Sequence, residues 1–154
     1  LHIVGWEADA RQPVQTKLMQ EAESEHLADR IFFHGKKAIG PDLNAMYRKA
    51  SIYVMPSYHE GFPRTIWEAM ANGLPVVATR VGAIPDYLTD EVDALLIDPR
   101  QVHQIQEAIQ RICNEPELRK KLIRNGYALA RENTLEKQTD RLLNCLQQVM
   151  KSEH

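Results

Sequence analysis

Short apolar runs alternate with amphipathic segments along most of the chain, and this alternation limits the fold more than any other feature. The runs at residues 1–5, 30–35, 51–55, 75–79 and 94–97 are strand-like, closed by glycine, proline or a charged residue. Between them the apolar spacing turns helical. Leu18, Met19, Ala22 and Leu27 mark a helix over 14–27, ending about residue 28. Asp42 can cap a short helix carrying Leu43, Met46 and Tyr47. Residues 63–71 form another, with Pro63 in the first turn and Gly73 just past the end. From Val102 onward the pattern is all helical. Ile105, Ala108, Ile109 and Ile112 mark one helix, 116–131 a second, and Thr134 opens a third with Leu142, Leu143, Leu146, Val149 and Met150 as its stripe. Strands alternating with helices predict an α/β fold, a parallel sheet covered on both faces. Ligands of such sheets bind at the carboxyl ends of strands, which directs attention to residues 5–7, 34–39, 56–64 and 79–86.

Composition narrows the classes. The 154 residues suit one domain, and 19 basic against 21 acidic residues give a net charge of −2, no argument for nucleic acid as a partner. No run of about 18 apolar residues is present, and residues 1–5 lack the basic and long apolar regions of a signal peptide. A cytoplasmic setting is expected, or a targeting part removed. Cys113 and Cys145 read as two buried thiols in a reducing compartment, with a disulfide as the alternative. No Cys/His spacing resembles a zinc site, and no Gly-x-Gly-x-x-Gly follows a strand, which argues against a dinucleotide enzyme.

The segment after the third strand carries the chemistry. Pro56 stops the strand, Gly61 sits in the loop, and Pro63 opens a helix. Backbone N–H groups at a helix start lack intrahelical partners, and with the helix dipole they favour a phosphate. Glu60 precedes the helix and Glu68 lies about one and a half turns into it. Carboxylates repel phosphate but accept paired hydrogen bonds, which suits vicinal sugar hydroxyls. One glutamate can hold a ribose and the other a donor sugar, with a diphosphate between. Read alone, the segment is also compatible with an ordinary strand–turn–helix bearing two solvated glutamates.

Residues 57–78 resemble the signature of the retaining GT-B glycosyltransferases (glycosyltransferase family four). Glu60-Gly61-Phe62-Pro63, then Glu68-Ala69-Met70-Ala71, Gly73 and Pro75-Val76-Val77-Ala78 match its landmarks. The strand-like residues 1–5, 29–35 and 50–57 are similar to the family's too, so that the likeness covers roughly residues 1–112. It implies a Rossmann-like parallel sheet with helices on both faces, and a nucleoside diphosphate sugar as substrate. Glu60 would then face the donor sugar as the catalytic carboxylate. The backbone of Gly61, Phe62 and Pro63 would line the sugar and diphosphate, and Glu68 would take the ribose. Gly35 and Lys36 would edge the base, and Gly5 would sit by the phosphates or the interdomain cleft. Transfer would retain the anomeric configuration by same-face displacement, without metal or other cofactor, to an acceptor such as a polysaccharide or glycolipid. The resemblance also implies that the chain is a part of a longer protein. Its partners would be the nucleotide sugar and an amino-terminal acceptor domain, with peripheral membrane association of the whole. The family's first strand–helix unit, which supplies an arginine and a lysine to the diphosphate, would precede residue 1. Gly82-Ala83-Ile84-Pro85-Asp86 departs from the family's Gly-Gly-x-x-Glu, and Ala94 stands where glycine is usual.

Other residues have plainer readings beside functional ones. His59 is a sugar contact or a solvated loop residue, and His34 a packed strand-end residue. Lys36 and Lys37 approach a phosphate or base, or serve solubility. Arg64, unfavourable against the dipole, points to an anionic contact. Trp67 and Tyr87 read as packing, and 115–124 as a solvated helix face. The last helix covers the sheet or meets a partner domain. The competing function is a nucleotide-binding regulatory module without transferase activity.

Overall fold

The computed structural model describes residues 1–7, 9 and 11–152, with the side chains of 151 and 152 outside the description. Contacts divide the chain into two compact units, Leu1–Leu43 and Asn44–His154.

The first unit holds two parallel strands, β1 (His2–Ile3) and β2 (Phe32–Phe33), paired His2 to Phe32 and Ile3 to Phe33. Between them run α1 (Pro13–Ser24) and a single 3-10 turn, Ala28–Arg30. Helix α1 opens at Pro13, one residue earlier than the spacing predicts, and ends at Ser24 rather than near residue 28. His26 adopts a φ of 56° just beyond it, and Leu27 lies outside the helix. Of the predicted stripe only Ala22 is buried. The start of α1 is closed by Glu7, whose carboxylate oxygens accept the Val14 N–H at 3.0 Å and the Gln15 N–H at 2.9 Å. A carboxylate there satisfies two orphan donors and complements the dipole.

α2 (Pro41–Lys49) leads into the second unit. Asp42 does not cap it: Pro41 is the first helical residue and Asp42 lies in the first turn. The second unit is built on β3 (Tyr53–Met55), β4 (Val76–Thr79) and β5 (Leu95–Ile97), parallel and adjacent in chain order. α3 (Arg64–Ala71) connects the first two strands and a four-residue helix, α4 (Ile84–Tyr87), lies between the last two. The sequence pattern did not reveal α4, because one turn is too short to show a period. α5 (Val102–Asn114), α6 (Pro116–Glu132) and α7 (Leu135–Ser152) complete the chain.

Both faces of this sheet are covered. Val77, Leu95 and Ile97 point one way, into a core with Ala108 and Ile112 of α5 and Leu122 of α6. Val76 and Ala78 point the other way and are equally inaccessible, as are Ile66, Ala69 and Met70 of α3. Alternation therefore fails as a signal in β4, where all four residues are buried. Truncating Ile112 or Ile66 to alanine in such a core costs about 2–5 kcal/mol. Gly126 brings α6 close to its neighbours: a Cβ there would lie 3.2 Å from the Met70 side chain and 3.2 Å from the Asp93 carbonyl.

Two expectations are corrected. Cys113 and Cys145 are both exposed free thiols: Cys113 falls on the solvent side of α5, and around Cys145 no face of α7 is buried. The stripe of α7 does not cover the sheet; Leu142, Leu143, Leu146, Val149 and Met150 are all exposed. Among the described residues no helix is long and apolar enough to cross a membrane.

Candidate functional site

The second unit gathers the segment singled out by its residue types. β3 stops at Pro56, and the chain crosses residues 56–63 without regular structure before α3 begins at Arg64. Pro63 is the N-cap, at φ −74° and ψ 119°, rather than a residue of the first turn. Its fixed φ suits that extended cap position. No side chain caps the helix, so its first N–H groups are left to solvent or to an anion. Gly61 is exposed, and a Cβ on it would meet no atom within 4 Å. The space beside that backbone is open.

Glu60 is held by a neighbour. Ser57 Oγ donates to Glu60 Oε1 at 2.8 Å and lies 3.2 Å from Met55 Sδ. The loop is gripped from the carboxyl end of β4 as well. Ala83 N–H donates to the Gly61 carbonyl at 2.9 Å. Gly82 has φ 56°, and a Cβ there would overlap the Glu60 carbonyl oxygen and come within 2.6 Å of that of Gly61. Only glycine fits so close an approach in the left-handed region. Thr79 Oγ1 donates to the Met55 carbonyl at 3.2 Å, tying the ends of β3 and β4.

Glu68 is partly buried on α3, and Tyr47 Oη donates to its Oε2 at 3.0 Å. Burial pushes the Tyr47 hydroxyl far above the usual phenol range; the charge of Glu68 and the hydrogen bond to it act in the same direction. Tyr47 is thus a fixed donor at neutral pH, and it leaves Oε1 of Glu68 for another partner. Burial also raises Tyr53, opposed by its 2.8 Å hydrogen bond to Thr65 Oγ1. Residue spacing marks Tyr47 only as a helix-face residue and does not signal its pairing with Glu68, which lies 21 positions away on another helix.

Phe62 stacks on Trp67 at 4.5 Å between ring centroids and meets Tyr87 edge-on at 5.0 Å. The packing roles expected of Trp67 and Tyr87 are therefore directed at the loop. Arg64 is exposed and has no acidic partner among the described residues. Arg80, which follows β4, is engaged by Asp90 and by Asp98 at 3.7 Å. His59 is exposed beside Glu60. No group of three or more metal-ligating side chains occurs among the described residues.

The first unit brings together Gly5, Gly35 and Lys36. Gly5 N–H donates to the Gly35 carbonyl at 3.0 Å, and Gly35 turns the chain at φ 63°. The Lys36 ammonium lies 4.6 Å from the Trp6 ring centroid, a cation–π contact. His34 pairs with His2 at 2.8 Å between ring nitrogens, a strand-end packing role.

Parallel strands wrapped by helices, with a strand running through a glycine loop into an uncapped helix, form a Rossmann-like α/β arrangement, and solved structures match it to the carboxy-terminal half of GT-B glycosyltransferases. The carboxy-terminal domain of a glycosyl transferase group 1 family protein (LpcC) from Francisella tularensis superposes with a TM-score of 0.73 at 30% identity, over 81% of this chain and 65% of that one. The chain belongs to the family Glycosyl transferases group 1, whose pattern matches residues 1–129. A D-inositol 3-phosphate glycosyltransferase from Saccharomonospora viridis is 36% identical over 111 residues, 72% of this chain. The chain spans only 26% of that relative's length. Anabaena HepE, solved in complex with UDP-glucose, shares the fold with a TM-score of 0.81 at 23% identity, over 94% of this chain and 40% of that one.

Proposed function

We propose that this chain forms the donor side of a retaining glycosyltransferase, binding a nucleoside diphosphate sugar for transfer to an acceptor such as a polysaccharide or glycolipid. The observation that carries the reading is the pinned loop ahead of α3. It joins an open Gly61 backbone, an uncapped helix start and a carboxylate whose direction is set by Ser57. In this reading the diphosphate lies on the start of α3, Glu68 accepts a ribose hydroxyl on the oxygen Tyr47 leaves open, and Glu60 faces the sugar. A regulatory nucleotide site has use for Glu68 but none for Glu60. Fold-mates such as HepE accept UDP and UDP-glucose, which makes a UDP-sugar the first donor to try.

The chemistry asked of these groups is positioning and charge stabilisation. As the glycosyl bond breaks, negative charge grows on the departing diphosphate, and helix N–H groups stabilise it in place. The same oxygens can take the proton of the incoming hydroxyl on the same face, which retains configuration.

Thermal unfolding of the full-length protein against UDP, GDP, ADP and their sugar conjugates tests the reading. Ligand at about 100 times its Kd stabilises by about 2.7 kcal/mol, a rise of about 5–10 °C if unfolding of this region is followed. A response to one nucleotide series is expected, and no response to any of them would refute the donor role. Glu68→Ala should weaken nucleotide and nucleotide sugar alike, whereas Glu60→Ala should abolish turnover and spare binding of free nucleotide.

A further inference from the structure

The loop that carries Glu60 is irregular and lies outside the core, yet Ser57, Glu60, Gly61 and Phe62 in it are each held by a neighbour. Ser57 holds the Glu60 carboxylate, Gly82 and Ala83 hold the backbone of Glu60 and Gly61, and the Phe62 ring is caught between Trp67 of α3 and Tyr87 of α4. The aromatic trio closes on itself, with Trp67 and Tyr87 edge-on at 6.2 Å. This stack is not a core element. Tyr87 is 49% exposed, and neither Phe62 nor Trp67 is fully buried. Rings in such offset and edge-on arrangements gain specific geometry beyond area burial, so the trio fixes where Phe62 sits and thereby the direction of the carboxylate two residues earlier. A group that must meet developing charge acts best when it needs no rearrangement.

We infer that Ser57, Trp67 and Tyr87 are positioning residues for Glu60. Ser57 sets the carboxylate, and Trp67 and Tyr87 set the loop through Phe62. This rests on the reading of Glu60 as the sugar-facing group. None of the three touches the nucleotide in that reading, so they should govern turnover and leave grip on the nucleotide alone.

The test is steady-state kinetics of the full-length protein with the nucleotide sugar identified by thermal shift, alongside the Kd of the free nucleoside diphosphate. Ser57→Ala, Trp67→Leu and Tyr87→Val should each lower kcat about tenfold or more, the loss expected when a hydrogen bond to a charged group or its support is removed, with nucleotide Kd within about twofold. Ser57→Thr and Tyr87→Phe keep the hydroxyl and the ring and should restore most of kcat. A purely structural role predicts instead that kcat falls only as the folded fraction and nucleotide affinity fall. That pattern, or wild-type kcat in the three disruptive variants, would overturn the inference. Glu60→Ala is measured beside them. Full turnover in it defeats the underlying reading, whereas its inactivity beside wild-type rates in the three defeats only the positioning claim.

Discussion

Gly82→Ala isolates the close approach between the turn after β4 and the Glu60 loop. The wild-type residue has φ 56°, and an alanine held there costs about 1–2 kcal/mol. The new Cβ would overlap the Glu60 carbonyl oxygen and stand 2.6 Å from the Gly61 oxygen and 2.8 Å from the Glu60 carbonyl carbon. All three are backbone atoms, so no side chain can swing aside. The two loops must part, which breaks the Ala83 to Gly61 hydrogen bond at a further cost of about 1 kcal/mol. The sum is about 2–3 kcal/mol, or a midpoint lowered by about 4–12 °C for a domain of this size. Gly61→Ala is the control, since its Cβ would meet nothing within 4 Å; it should change stability by less than about 1 kcal/mol while obstructing a ligand. Urea unfolding followed by circular dichroism measures both. If Gly82→Ala matches wild type to within about 1 kcal/mol, the turn is not packed on the loop as described.

Two further substitutions probe groups whose roles were not visible in the residue types. Burial holds the Asp93 carboxyl above the ordinary range, opposed by the Thr89 N–H that it accepts at 3.0 Å. A folded pKa above the unfolded one gives stability that is complete below about pH 4 and is lost as pH rises through the folded value. Asp93→Asn keeps an acceptor for Thr89 and should therefore gain on wild type between about pH 4 and 7 and not below; a variant clearly less stable at pH 7 would contradict this. Glu7→Ala removes the acceptor for the first N–H groups of α1, costing about 1 kcal/mol. Amide exchange at Val14 and Gln15 should quicken, and unchanged exchange would show that the cap contributes nothing.

The chemistry was more legible than the contacts that support it. Glu60, Gly61, Pro63 and Glu68 stand in one short stretch, where a strand end, a glycine and a helix start are local signals. Ser57 lies within the same stretch, yet its bond to Glu60 depends on a loop conformation that no propensity specifies. Tyr47 and Tyr87 reach the site from other helices, so their roles are tertiary facts without a sequence period. Pro63 and Asp42 illustrate the small error of cap assignment: the backbone puts Pro63 one position and Asp42 two positions from the expected place, because proline and aspartate are acceptable both at a cap and in a first turn. α7 shows a true amphipathic period and an exposed apolar face at once, since periodicity reports a face without reporting what meets it.

The consecutive order of β3, β4 and β5 has a consequence for synthesis on the ribosome. β4 pairs with β3 and β5 with β4, each the strand made just before it, so the sheet can grow as the chain emerges. Its Val77, Leu95 and Ile97 face, however, waits for Ile112 and finally Leu122 to cover it. About 25 residues separate Ile97 from Leu122, which at roughly 5–20 residues per second is about one to five seconds of translation. For that interval an apolar sheet face stands uncovered in the nascent chain, and it is the face on which a holding chaperone would act and on which slowed elongation between codons 97 and 122 would raise the risk of misassembly.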